Sequence, residues 1–482
     1  MPETYTGPGV FKRFVIGALV IVLASAGATA VAAWHEVDKV VAAFKGTAHI
    51  KGIKGVIDDA NAGSPQTILL IGSDKRSKNA IDVRRGVIGK PLSDTMILMR
   101  LDPSKGATAL LSLPRDLKVA IPGYGVDKLN AAYAEGGARL TVRAIKALTH
   151  IHINHVINVD FHGFSKAVNA LGCVYLDVDR RYYNQSNSYA KIDIQPGYQR
   201  LCGQDALSYV RFRHEDNDLV RATRQQDFLR QVKQQVGAFG LLSKRNKLLG
   251  IFSHYTASDL SSRTGILRLM TLAIASAGHP IREVHFRAKI GPSYVYARAS
   301  VVRQTVRQFL GLQQSSGPRG LLQPKGKKAR RKARIQAANL ENAGAAGRDE
   351  ALAAINQKVK VFPVWYPTRR TLGSLFLATP RIYTIDTRDY KHYPAYRIVI
   401  KKGIVGEYYG IQGTAWMDPP ILSGPHETHS IRGRKFDLYY DGTRLRLVAW
   451  KGKHSVFWLS NTLLLSLSNK QMTAIAASTR HL

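Results

Sequence analysis

Short apolar runs alternate with helix-spaced apolar residues through the middle of this chain. Residues 67–71 (TILLI), 96–99 (MILM), 109–111 (ALL) and 156–159 (VINV) are bounded by turn-forming residues. Runs of this length, apolar on successive positions, suit strands covered on both faces. Apolar residues return at helical spacing over 140–148, 164–171 and 219–236. This order predicts an α/β domain, layered α/β/α around a central mixed sheet, over residues 66–312.

The rest of the pattern divides the chain further. Lys12 and Arg13 precede an uncharged apolar run over 14–33, and about 20 such residues span a bilayer. The basic residues on its N-terminal side place 1–13 in the cytoplasm and everything after the run outside the membrane. A cleaved signal peptide is the alternative, since small residues near Ala30 and Ala33 offer cleavage sites. Residues 34–65 then form a stalk. Composition shifts to Gly, Ala, Lys and Arg over 313–357, densest at 325–334, which predicts a basic linker. Beyond it, 358–482 is rich in aromatics, with a hairpin signal at Asp441-Gly442, a strand at 456–459 and a closing helix over 461–478. That makes a small C-terminal α+β domain whose role its sequence does not disclose.

Charge narrows the partners. Seventy Lys and Arg against 33 Asp and Glu leave a net +37, which calls for a polyanionic neighbourhood: nucleic acid, anionic lipid or an acidic wall polymer. An extracytoplasmic position removes nucleic acid. The same compartment would allow the two cysteines, Cys173 and Cys202, to pair; neither has metal-site spacing to another ligand.

Candidate chemistry concentrates in 211–226 (RFRHEDNDLVRATRQQ). With a helix starting near Asp218, Arg221, Arg224 and Gln225 share one face, continued by Phe228 and Val232. Arg211 and Arg213 stand just before it. Guanidinium forks beside a helix N-terminus suit the oxygens of a pyrophosphate. Asp74 and Arg76 follow the first strand and Asp94 precedes the second, so neighbouring strands can bring the two carboxylates to one Mg²⁺. Arg115 ends the third strand, and Lys128 follows with a further cation. The cluster His150, His152 and His155 reads as structural, and Asp177 with Asp179 as solvated carboxylates on one strand face.

In this order the motifs resemble the LytR-CpsA-Psr family of membrane-anchored glycopolymer transferases, over 66–236 and more weakly to 312. The resemblance rests on Gly72-Ser73-Asp74-Lys75-Arg76, Ser93-Asp94-Thr95, Leu113-Pro114-Arg115-Asp116, Lys128-Leu129-Asn130-Ala131-Ala132-Tyr133 with Gly136-Gly137, Val159-Asp160-Phe161-His162-Gly163-Phe164, and 211–226. It implies an enzyme that takes a glycopolymer from a polyprenyl-pyrophosphate carrier and joins it to peptidoglycan through a phosphodiester. It further implies Mg²⁺ on Asp74 and Asp94, with Asp74 also a candidate base. Arg76, Arg115, Arg211, Arg213, Arg221 and Arg224 would clamp the pyrophosphate, completed by Lys128 and Gln225, beside an apolar tunnel for the lipid. Asp74, Arg76, Arg115 and Arg224 are the implied catalytic set. Asn169 and Cys173 depart from the family's usual Asp and Gly. Two other readings stay open: a hydrolase using the same clamp with water as acceptor, and a non-catalytic regulator that binds lipid or wall polymer.

Overall fold

A computed structural model describes residues 38–61, 63–73, 93–185, 191–212, 218–277, 279, 281–313, 340–357, 363–377, 379–403 and 407–482. Among these no helix is long and apolar enough to cross a membrane; the expected anchor over 14–33 lies outside them.

The first domain contains strands β1 (Ala48–His49), β2 (Gln66–Ser73), β3 (Ser93–Leu101) and β4 (Thr108–Ser112), a hairpin of β5 (Lys118–Ile121) and β6 (Gly125–Lys128), then helix α1 (Leu129–Thr149). Next come β7 (His155–Asp160), α2 (Phe161–Leu171), β8 (Val174–Val178), β9 (Tyr182–Asn184), β10 (Ile192–Ile194), β11 (Gly197–Leu201) and α3 (Gly203–Arg211). The domain is completed by α4 (Asp218–Ser243), α5 (Arg245–Tyr255), β12 (Thr256–Ser258), α6 (Arg263–Ala277), β13 (Ile281–Val284) and α7 (Ala299–Phe309). Seven strands form the central sheet in the order β1-β12-β7-β2-β3-β4-β13.

Both faces of that sheet are apolar, and helices cover both. Leu69, Ile71, Leu98 and Leu111 pack with Leu140, Val142 and Ile145 of α1 and with Phe309 of α7. On the opposite face Ile68, Leu101 and Ile157 pack with Ile266, Leu269 and Leu272 of α6. These are the three layers expected of doubly covered strands. Within α1, Gly137 adopts φ 58° and ψ −154°, a conformation open to glycine, and breaks the helix into two segments.

The sheet directions decide where chemistry collects. β2 is parallel to β7 and antiparallel to β3; β3 is antiparallel to β4; β4 is parallel to β13. The C-terminal ends of β2, β7, β4 and β13 and the N-terminal end of β3 therefore share one edge.

The C-terminal domain is built on an antiparallel sheet ordered Leu375–Phe376, His392–Lys401, Tyr408–Thr414, Val456–Ser460, Arg444–Lys451, Arg434–Asp441 and Glu427–Ile431, with Arg381–Asp386 on His392–Lys401. The turn at Asp441-Gly442 joins two paired strands. Two boundaries differ from the sequence reading. The linker expected over 313–357 is structured within its described part beyond 339: Leu340–Asn342 pairs with Arg369–Thr371, and α8 (Gly344–Asn356) buries Ala351 and Ala354 in the C-terminal core. The closing helix α9 spans only Asn469–Ala477, because Ser468 and Gln471 cap its start reciprocally.

The two domains share buried contacts. Tyr175 and Tyr198, on the paired strands β8 and β11, pack with Ile385, Tyr439, Leu447 and Trp458 of the C-terminal sheet. This corrects the solvated reading of Asp177 and Asp179. Asp177 accepts from the Trp458 indole at 3.2 Å and pairs with Arg397 at 3.1 Å, and Asp179 is buried and accepts from the Tyr182 hydroxyl at 2.7 Å. The second domain thus covers Asp177 on β8, and Asp179, just beyond that strand, is buried against Tyr182.

Candidate active site

The shared sheet edge is assembled by register. Gly72 pairs with Thr95 and Ser73 with Ser93, leaving Asp94 as the extra residue of a β-bulge opposite the end of β2. Only the backbone of Asp94 is described, and Asp74, Arg76 and Arg213 lie outside the described residues. Beneath the edge, Ser73 Oγ donates to Asn158 Oδ1 at 2.8 Å, and Asn158 Nδ2 donates to Tyr133 Oη at 2.6 Å. Tyr133 of α1 thus supports the strand end that leads to Asp74.

Arg115 and Lys128 meet at Asp116. The Lys128 ammonium is 3.2 Å from Asp116 and the Arg115 Nε is 3.9 Å from it. The Arg115 carbonyl accepts from Asn130 N at 3.0 Å, tying this corner to the start of α1. Asp160, at the end of β7, caps α2 by accepting from Gly163 N at 2.7 Å.

Helix α4, described over Asp218–Ser243, crosses this edge. Gln225 donates to Thr95 Oγ1 at 2.9 Å and to the Val210 carbonyl at 3.2 Å; Gln226 donates to the Val284 carbonyl at 3.0 Å. Arg211 ends α3 with its guanidinium 3.8 Å from the centre of the Phe161 ring. Arg221 is buried one turn inside α4.

Arg224 and Gln225 both reach the carbonyls at the end of α3. Arg224 is fully buried, and its Nη1 donates to the Tyr209 and Phe212 carbonyls at 2.9 and 3.1 Å. The guanidinium also lies 4.5 Å from the Tyr182 ring centre. It therefore ties the end of α3 to α4. Beside it, burial pushes the Asp179 carboxyl above its ordinary range, opposed by Arg180, the Tyr182 hydroxyl, Arg224 and Arg397.

Between the sheet and α2, α3 and α4 lies a cavity of ≈ 180 Å³, walled by Leu70, Ile97, Val159, Phe164, Leu207 and Phe228 among others, with Arg211, Gln225, Thr95 and Asp160 also lining it. Its walls are almost wholly apolar. A second apolar cavity, ≈ 450 Å³, shares Val159 and Phe164 with the first and reaches Val40, Phe44 and Phe252. Sheet edge, Arg211 and apolar cavity thus adjoin.

Residues 31–295, more than half of the chain, match the LytR_cpsA_psr family model. The chain belongs to the LytR_cpsA_psr family. It is 33% identical over 216 residues to the polyisoprenyl-teichoic acid–peptidoglycan teichoic acid transferase TagT of Bacillus subtilis, covering 44% of this chain and 65% of that one. The corresponding figures for TagU of Enterococcus faecalis are 34% over 204 residues, 42% and 63%, and for the probable cell wall biosynthesis protein LcpB of Corynebacterium glutamicum 32% over 222 residues, 45% and 53%. The match thus spans between about half and two thirds of these curated relatives' length. Among solved structures the chain is similar to Bacillus subtilis TagV (26% identity, 52% of this chain and 99% of that one, TM-score 0.42). It is likewise similar to a LytR-Csp2A-Psr enzyme from Actinomyces oris (19%, 55% and 95%, TM-score 0.43).

The two departures from the LytR-CpsA-Psr pattern have local explanations. Asn169 accepts from Gly203 N at 2.8 Å and so satisfies the first turn of α3. Gly203 is needed there, since a Cβ would lie 2.6 Å from Ser165 Oγ and 2.7 Å from Asn169 Nδ2. Cys173 has φ 65°, a left-handed conformation that suits glycine, and it is disulfide-bonded to Cys202. Of the three histidines, His155 lies between Asp259 (2.8 Å) and Gln66 (3.0 Å) in a structural bridge.

Sequence reasoning missed one polar group at the edge. His285, just beyond β13, lies 3.8 Å from Glu283 and 3.7 Å from Asp441 at the tip of the C-terminal hairpin. Arg230 of α4 pairs with Asp227 and, at 3.3 Å, with Glu283. With a guanidinium already at Glu283, the His285 ring lies between this charged pair and Asp441 of the second domain. Nothing in the chain order signals that Asp441 reaches β13.

Proposed function

We propose that this protein is a membrane-anchored transferase acting outside the cytoplasmic membrane, moving a glycopolymer from a polyprenyl-pyrophosphate carrier to peptidoglycan through a phosphodiester bond. The observation that carries this reading is the apolar cavity with Arg211 and Gln225 in its lining, at the edge where Arg115, Lys128 and Asp94 also lie. An apolar wall suits a polyprenyl chain, and cations at its border suit the pyrophosphate. The names of TagT and TagU agree with this reading, and the apolar run over 14–33 would be the anchor.

In the reaction, an acceptor hydroxyl oxygen attacks the sugar-linked phosphorus, the bond from that phosphorus to the bridging oxygen breaks, and polyprenyl phosphate leaves. Arg211, Arg115 and Lys128 hold the phosphate oxygens, with Arg76 and Arg213 as further candidates. Gln225, anchored to Thr95, fixes the floor of the site, and Asp74 takes the hydroxyl proton. The donor set suits a hard cation: Asp94 sits in a bulge opposite Gly72 and Ser73, directly before Asp74. Mg²⁺ on these two carboxylates would neutralise phosphate charge.

The test is a transfer assay with purified full-length protein, a polyprenyl-pyrophosphoryl oligosaccharide and a peptidoglycan oligomer, with product read by mass spectrometry. A phosphodiester-linked adduct, dependent on Mg²⁺ and lost in Arg211→Ala, is expected. Free sugar phosphate would make the protein a hydrolase, and lipid binding without any product would make it a regulator.

A further inference from the structure

We propose that two surface hairpins on the α1 side of the sheet form a platform for the sugars of the donor glycan, Tyr296 stacking on a sugar ring with Lys118 beside it; this rests on the transferase reading above.

Packing decides which side of the sheet each part occupies. Leu70 and Val159, which line the apolar cavity, lie on the face covered by α6. Leu117, Val119 and Ile121 of the β5–β6 hairpin belong to the core on the α1 face, and so does Val295. A lipid in the cavity and a ligand on these hairpins therefore occupy opposite faces, with the sheet edge between them. That edge is thin. Leu113 N, just beyond β4, donates to the Met96 carbonyl at 2.9 Å, beside Thr95 of the cavity lining, and Arg115 follows two residues later. A donor with its lipid in the cavity and its pyrophosphate at this edge sends its glycan out on the hairpin side.

The second hairpin, β14 (Lys289–Ile290) paired with β15 (Val295–Tyr296), is tied to the cationic corner. Val295 N donates to the Asp116 carbonyl at 2.8 Å, and the Asp116 carboxylate lies 3.2 Å from the Lys128 ammonium. Lys128 Nζ is 5.9 Å from the centre of the Tyr294 ring, and Lys118 Nζ is 5.3 and 5.7 Å from the centres of Tyr294 and Tyr296. The Tyr296 ring is set by the turn below it. Gly291 N donates to the Tyr294 carbonyl at 2.9 Å, and a Cβ on Gly291 would come within 2.7 Å of that ring. Tyr296 nevertheless stays 41% exposed. The first hairpin extends the surface: Ala120 pairs with Val126, both exposed, and Tyr124 stands exposed at its turn. A sugar ring offers C–H groups on its faces and hydroxyls on its rim. An aromatic face takes the first and a neighbouring ammonium the second. Continuity assigns these sugars to the donor, because the Lys128 ammonium at the phosphate corner also borders the first ring of the platform.

The experiment uses the full chain and compares two ligands, polyprenyl pyrophosphate and the same lipid carrying an oligosaccharide. Titration calorimetry reads binding, and steady-state kinetics with a peptidoglycan oligomer reads turnover. Tyr296→Ala should weaken binding of the glycan-bearing donor about tenfold and raise its KM by the same factor, with polyprenyl pyrophosphate binding and the acceptor KM unchanged. Tyr296→Phe, which keeps the ring, should behave as the unmodified protein. Equal weakening of both lipids would make Tyr296 a support of the phosphate corner and overturn the proposal. A raised acceptor KM with donor binding intact would give the platform to peptidoglycan and overturn it as well. If Tyr296→Ala does not fold, Lys118→Ala, a substitution on the exposed hairpin face, gives the same comparison of the two lipids. Absence of transfer by the unmodified protein counts against the transferase reading, while the difference in binding between the two lipids still decides the platform.

Discussion

Arg224 separates two kinds of arginine that look alike in the sequence, and Arg224→Ala measures the difference. Its Nη1 makes two hydrogen bonds to carbonyls, at 2.9 and 3.1 Å, and its plane faces Tyr182 at 4.5 Å. Bonds from a charged donor contribute about 1.5–3 kcal/mol each, and a desolvated cation–π contact about 2 kcal/mol. These terms overlap, and the expected loss is about 3–5 kcal/mol, the range for breaking a buried charged contact. In a domain of this size that is a fall in Tm on the order of 10 °C. Arg211 is the comparator: it lies over Phe161 on the cavity lining, so Arg211→Ala should cost activity on the order of 10²-fold and shift Tm by only a few degrees. Calorimetry on both variants, beside donor turnover at a temperature where each is folded, gives the four numbers. Should Arg224→Ala keep the native Tm while losing turnover as Arg211→Ala does, Arg224 contacts substrate in the working enzyme and the buried-tie argument fails.

Three further outcomes follow from local geometry. Asp58 accepts from Lys146 at 2.7 Å and Ile153 N at 3.0 Å; partial burial raises its pKa, but the hydrogen bonds outweigh this and hold it below the usual value. A depressed carboxyl pKa adds stability above the unfolded value, which fades as pH falls through the folded one. Asp58→Asn should therefore be less stable by about 1–3 kcal/mol at pH 7, with the gap in Tm closing below about pH 4; a gap independent of pH would exclude the ionic account. Reducing Cys173–Cys202, a separation of 29 residues, should cost about 3–4 kcal/mol on the chain-entropy argument, seen as a lower urea midpoint, and an unchanged midpoint would contradict it. Finally, Leu207→Trp adds bulk to the apolar cavity. Turnover of a long-chain polyprenyl donor should drop about tenfold, or ~1.4 kcal/mol, while a short-chain donor is spared; equal loss for both would remove the lipid from this cavity.

Much of the first domain was legible from the chain because its signals are local. Doubly covered strands must be apolar on successive residues, so 67–71 and 109–111 announced a layered sheet, and the helical state of α4 follows from the periodicity around Val220 and Phe228. The linker boundary failed for a related reason: Gly344–Asn356 is alanine-rich and its weakly amphipathic pattern resembles a solvated segment, although Ala351 and Ala354 are wholly buried. Small side chains carry little apolar signal when packing is close.

What the sequence by itself determined is the set of chemical types and their order: arginines at the start of a helix, carboxylates at strand ends, two cysteines, and an apolar run of membrane length. Those depend on neighbours within a few residues. Only the tertiary structure decided which way each one faces. Arg221, Arg224 and Gln225 share a helix face by spacing; the fold sets Arg224 and Gln225 against the end of α3, and Gln225 alone of these two also bonds to Thr95 at the cavity among the described contacts. Asp177 looks solvated until a domain more than two hundred residues later covers it with Trp458 and Arg397, and Asp179 is buried against Tyr182. Burial and pairing are properties of what arrives on the far side of a residue, and long-range packing alone supplies it.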